Sequence, residues 1–117
     1  MYQNGHGVNQ NYETAIEWFK KAATLGSVNA QNNLGIAYSE GKGVALNHRT
    51  AVSWWQKAAE SEYAGAQNNL AIAYELGEGV EKNLNRALKL FEQSAKQGDP
   101  NGVQNYNRLR EAIGASE

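Results

Sequence analysis

The chain has 117 residues, a formal charge of -1 from 11 Lys and Arg against 12 Asp and Glu, and a hydrophobic fraction of 41%. That size and apolar content suit one compact unit with a modest core, and the balanced charge gives no electrostatic reason to bind nucleic acid or an anionic membrane. Without cysteine there are no disulfides, thiol nucleophiles or thiolate metal sites, and no apolar run approaches the roughly 20 residues of a membrane span.

The first helix is predicted over 11–25, where Ala15, Ile16, Phe19, Ala22 and Ala23 recur at helical spacing behind Asn11, a residue able to accept an orphan backbone N–H. Gly26 ends it. Ser27 caps a second helix over 28–40, on which Ala30, Leu34 and Tyr38 form one stripe. After the loop Gly41-Lys42-Gly43-Val44, Asn47 opens a third helix over 47–61. The fourth, over 64–76, has no capping signal before it, and at the joint Glu62 stands where Gly26 stands one unit earlier, so strain is expected there. Asn83 opens the fifth helix over 83–97. Gly98, Asp99 and Pro100 mark its end and the start of a sixth helix over 100–113.

These elements repeat. A shift of 36 residues superposes Tyr2, Gly5, Gly7 and Val8 on Tyr38, Gly41, Gly43 and Val44, and these on Tyr74, Gly77, Gly79 and Val80. The runs 30–34 and 66–70 both read A-Q-N-N-L. A fixed period of this length signals stacked units, each burying its apolar face against its neighbours. Units at 27–62 and 63–98, a partial unit at 1–26 and a capping helix at 99–117 account for a single domain. The Gly-x-Gly-Val loops lack the third glycine and the preceding strand of a phosphate cradle, so they read as turns, with Val8, Val44 and Val80 plugging each hairpin.

The motif formed by Leu34, Gly35, Tyr38, Gly41, Gly43, Val44, Asn47, Ala51, Trp54, Ala58 and Ala59, with Trp18, Ala22 and Ala23 one unit earlier, resembles the Sel-one-like repeat family, a relative of the tetratricopeptide repeats. The resemblance implies an all-α, right-handed solenoid of antiparallel helix pairs, serving as a bacterial protein-binding adaptor. Ala71 and Glu62 depart from the family pattern where glycines are usual, as do the Asn caps where Asp is usual. Tyr106, Asn107 and Arg110 replace the motif in the last helix, as a terminal cap would.

In such arrays the stripe beside the packing residues lines a concave groove. Here it holds Asn29, Asn32, Ile36 and Glu40, then Asn68, Ile72 and Glu75, then Gln104 and Arg108. Asn32, Asn68 and Gln104 form a ladder of amides suited to the backbone of an extended peptide, and the isoleucines add apolar contact. The plain alternative is that they are ordinary solvated helix residues. Trp18, Phe19, Trp54, Trp55 and Phe91 recur at helical spacing and read as core. His6 and His48 have no partner at metal-ligand spacing, His48 is expected to be exposed, and Glu75 with Glu78 read as solvated acids.

The leading expectation is therefore a protein- or peptide-binding module without cofactor, metal or catalytic group. The alternatives are an immunity or inhibitor protein against a secreted toxin, and a hydrolase like the cysteine-rich relatives described as acting on β-lactams. Self-association is expected through the first helix, whose Ile16 and Phe19 have no earlier helix to cover them. The N-terminus lacks the basic and apolar regions of a secretory signal. The compartment stays open: cytoplasmic, or periplasmic if the chain is a piece of something longer.

Overall fold

Among the described residues six helices follow one another: α1 (His6–Thr24), α2 (Val28–Glu40), α3 (His48–Glu60), α4 (Ala64–Leu76), α5 (Leu84–Lys96) and α6 (Pro100–Ser116). The computed structural model describes the backbone of residues 6–116 and side chains from 12 to 115. Sequential helices pack pairwise along the array, and α4 also touches α6 directly. The extents of 53 × 29 × 25 Å and a radius of gyration of 15.6 Å exceed the about 13 Å of a compact domain this long. The chain is an elongated solenoid.

Local chemistry explains the joints. Ser27 accepts from the Ala30 N–H at 3.3 Å, and Asn47 and Asn83 accept from Thr50 and Arg86, each at 3.0 Å. Asp99 Oδ2 accepts from Gly102 N at 3.0 Å, starting α6 behind Pro100. Tyr63, ahead of α4, makes no side-chain cap. Each long loop is closed identically: Asn47 N donates to Tyr38 O and Asn83 N to Tyr74 O, both at 2.9 Å. Glu62 has φ 61°, the left-handed value that Gly26 and Gly98 adopt at the equivalent joints. The expected strain falls on a residue with a Cβ.

α1 differs from expectation at its start. Its helix runs back to His6, so Asn11 lies inside it rather than capping it. The two later loops are pinned by docking on an earlier helix: a Cβ on Gly43 would stand 2.7 Å from Tyr12 O, and one on Gly79 would enter the His48 carbonyl. The side chains of His6 and Val8 lie outside the described residues, as do Tyr2 and Gly5.

Among the described residues the core forms two clusters. One joins Ile16, Ala23, Ala30, Leu34 and Ala37 of α1 and α2. The larger gathers Trp55, Leu70, Phe91 and Leu109 with small residues of α3 to α6, and Val80 packs against it as Val44 does against the first. Ile16 is 4% exposed and Phe19 half-buried, so α2 covers the residues expected to lie bare. Trp18, expected in the core, is 68% exposed. Its counterpart Trp54 packs on the α1–α2 cluster one unit earlier, whereas among the described residues no such unit lies before Trp18.

Candidate protein-binding face

Helices α2, α4 and α6 form one layer, and side-chain bonds tie it together across the repeats. Asn69 Nδ2 donates to Asn32 Oδ1 at 3.1 Å, and one period later Asn105 Nδ2 donates to Asn68 Oδ1 at 2.9 Å. At the N-terminal ends, the Tyr63 hydroxyl donates to Asn29 Oδ1 at 3.0 Å. At the C-terminal ends Arg108 donates from Nη1 and Nη2 to the two carboxylate oxygens of Glu75, at 2.7 and 2.8 Å. Bonds of that length across the layer hold α2, α4 and α6 close along one shared face of the solenoid.

This geometry corrects the expected amide ladder. Asn32 is 8% exposed and Asn68 6%, and each has its carbonyl oxygen engaged by the next repeat. They are repeat-to-repeat fasteners rather than solvated groups. Adjacent helix positions lie about 100° apart, so one of the two neighbouring amides turns toward the next helix. The donors Asn69 and Asn105 were missed. Their signal was present: Asn33, Asn69 and Asn105 are all Asn, whereas the series Asn32, Asn68 ends in Gln104.

The remaining residues of the stripe do reach the surface. Asn29, Glu40, Gln104 and Arg108 are exposed, and Ile36, Ile72 and Glu75 are half-buried. The Arg108 guanidinium is pushed above its ordinary pKa, chiefly by the hydrogen bonds to Glu75. It stays a cation throughout the physiological range. Glu75 is committed to that pair rather than to Glu78, and His48 is half-buried, not exposed, lining the same cleft as Glu78. Among the described residues no three His, Asp or Glu side chains converge as a metal site, and no helix is long and apolar enough to cross a membrane.

A run of antiparallel helix pairs stacked through the layer of α2, α4 and α6 is a helical repeat solenoid. The chain belongs to the Sel1 repeat family, whose model matches residues 1–27, 28–63 and 64–99. Sel1 repeats generally serve as protein-interaction modules, and the proteins that carry them are typically non-enzymatic scaffolds.

Among solved structures, the chain is similar to c5321, a protective antigen of uropathogenic Escherichia coli strains with an SLR fold. The identity is 37% and the TM-score 0.82, over 86% of this chain and 22% of that one. A Sel1 repeat protein from Oxalobacter formigenes is 36% identical with TM-score 0.76, over 80% of this chain and 39% of that one. Helicobacter pylori cysteine rich protein B is 29% identical with TM-score 0.72, over 76% and 67% respectively. The chain thus spans well under half of the first two. A comparison with curated proteins returns no significant match.

Proposed function

We propose that the chain binds an extended peptide or a protein surface along the shared face of α2, α4 and α6. The contacts come from Asn29, Ile36, Glu40, Ile72, Glu75, Gln104 and Arg108, with Asn32 and Asn68 acting from beneath by holding the helices in register. The observation that carries this reading is the pair of half-buried amide bonds, Asn32 with Asn69 and Asn68 with Asn105. They fix the spacing of the three helices before any partner arrives, and a preorganised surface loses less entropy on binding. The face mixes exposed amides and charges with half-buried isoleucine, the composition suited to main-chain hydrogen bonding with apolar anchoring.

The role proposed is non-catalytic. Glu75 is tied to Arg108, and the chain has no cysteine with which to follow its cysteine-rich neighbour. A partner recovered by affinity capture and added to isotope-labelled chain tests the reading. The side-chain amide signals of Asn29 and Gln104 are expected to shift, while the backbone signals of Lys20, Lys21 and Lys57 on α1 and α3 stay in place. Shifts confined to the lysine-bearing helices would overturn it.

A further inference from the structure

The cleft that His48 and Glu78 line measures about 160 Å³ and is also walled by Ser39, Trp55, Asn69 and Ile72. Its lining differs from the equivalent positions of the flanking repeats. The Trp55 position holds Phe19 and Phe91 there, and the His48 position holds Tyr12 and Leu84. Only the middle repeat puts an N–H on the ring at the first position, and that N–H is buried and meets no acceptor among the described residues. Filling the space does not require it, since the Phe91–Ala71 pair fills the same place one repeat later with hydrocarbon alone. A buried donor left unpaired is costly, so an acceptor that arrives from outside recovers what the fold forgoes.

The other walls say what that acceptor is attached to. A Cβ on Gly35 would meet Nε1, Cδ1 and Cε2 of Trp55 together, so the α2 backbone lies over the face of the five-membered ring. The N–H, in the ring plane, runs past α2 rather than into it. Ser39 Oγ donates to Ile36 O at 2.8 Å and Asn69 Nδ2 to Asn32 Oδ1 at 3.1 Å, which leaves the Ser39 lone pairs and the Asn69 carbonyl as acceptors beside the Glu78 carboxylate. One donor and several acceptors complement a primary carboxamide, with its one carbonyl and two N–H bonds. An ammonium or guanidinium has no lone pair for the indole, and a carboxylate has no proton for the acceptors and meets Glu78. The volume falls below the roughly 300–1,000 Å³ of small-molecule pockets and suits a single side chain.

We propose that this cleft is a pocket for a glutamine side chain of the bound peptide. The amide oxygen accepts from Trp55 Nε1, the amide nitrogen donates to Asn69 Oδ1 and Ser39 Oγ, and the two methylenes lie on Ile72 and Ala73. The proposal rests on the reading that the shared face of α2, α4 and α6 takes an extended segment, because Ile72 belongs to both, and it names a residue that segment carries. Main-chain bonds then supply affinity while the pocket supplies specificity.

The probe is N-acetyl-L-glutamine methylamide, titrated to about 50 mM into the isotope-labelled full chain. Trp18, Trp54 and Trp55 give three indole N–H signals. That of Trp55 is expected to move downfield saturably, as an N–H does on gaining an acceptor, with the other two in place. The leucine and glutamate analogues of the probe should bind at least about tenfold more weakly. Trp55→Phe installs the residue that both flanking repeats carry. Followed on the Ile72 methyl signals, it should weaken binding at least tenfold without lowering the melting temperature, a loss that a merely space-filling indole would not cause. No saturable shift of the Trp55 indole, equal binding of the leucine analogue, or undiminished binding to Trp55→Phe overturns the proposal. So does tighter binding of free L-glutamine than of the blocked residue, because it gives the cleft to an amino acid in place of a peptide. The blocked residue needs only the cleft, so the face and the pocket fail separately: a partner that shifts the Asn29 and Gln104 amides but leaves the Trp55 indole in place sinks the pocket alone.

Discussion

The indole of Trp55 lies so close over Gly35 that no side chain fits between them, and one repeat further on the corresponding pair is Phe91 and Ala71, both wholly buried. The smaller ring leaves room for the methyl. Trp55 Nε1 is itself buried without a hydrogen-bond partner among the described residues, a condition that costs about 1–3 kcal/mol. The second repeat thus holds a tight glycine and an orphan donor where the third holds a plain hydrocarbon contact.

Gly35→Ala should therefore destabilise by about 1–2 kcal/mol, because overpacking outweighs the helical gain of alanine. Adding Trp55→Phe should recover most of that loss, reproducing the Ala71–Phe91 pair. Urea denaturation of the two single variants and the double variant measures the coupling. Strictly additive changes would mean that the two residues do not share the space.

The inter-repeat amides make a second prediction, a loss of stability where a solvated ladder would give no change. Asn68→Ala should lower stability by about 1–2 kcal/mol, since it removes one hydrogen bond and leaves the half-buried Asn105 amide without its acceptor. The double change with Asn105→Ala should cost less than the sum of the singles. A melting temperature unchanged by Asn68→Ala would return that side chain to the solvent.

Glu62 gives a third. Its left-handed backbone suits the glycine found at both equivalent joints, and the bond that Gln97 Nε2 donates to its carbonyl at 2.8 Å is a main-chain contact that survives substitution. Glu62→Gly should stabilise by about 1 kcal/mol, raising the melting temperature by about 4 °C. Differential scanning calorimetry decides, and a lower transition would show that Glu62 gains more from its side chain than it loses in backbone strain.

The solenoid was legible because its punctuation repeats: Asn47 and Asn83 cap, Gly26 and Gly98 turn, and Leu34 and Leu70 fill equivalent interior sites. What was not legible came from neighbours. Trp18 and Trp54 are the same residue at the same register, yet among the described residues Trp54 packs on the α1–α2 cluster and Trp18 is 68% exposed. Asn11 matches the two capping asparagines, but α1 runs on past it to His6, so Asn11 does not stand at a helix end. For the shared face, helical period placed Ile36, Ile72, Gln104 and Arg108 on one side. It could not decide which of two adjacent asparagines turns toward the next helix, because identical side chains differ only in the neighbour they meet.

The central claim, that the shared face of α2, α4 and α6 binds the partner, is tested most directly by titration calorimetry with the captured partner. The test variant is Glu40→Ala with Gln104→Ala, both exposed and outside the bonds that join the helices, and the control is Lys20→Ala, Lys21→Ala and Lys57→Ala together. Two lost polar contacts at about 0.5–1.5 kcal/mol each predict roughly tenfold weaker binding or more for the first, with the melting temperature nearly constant and the control at full affinity. Full affinity in the shared-face variant, with loss only in the lysine variant, would contradict the account and move the site to the opposite surface.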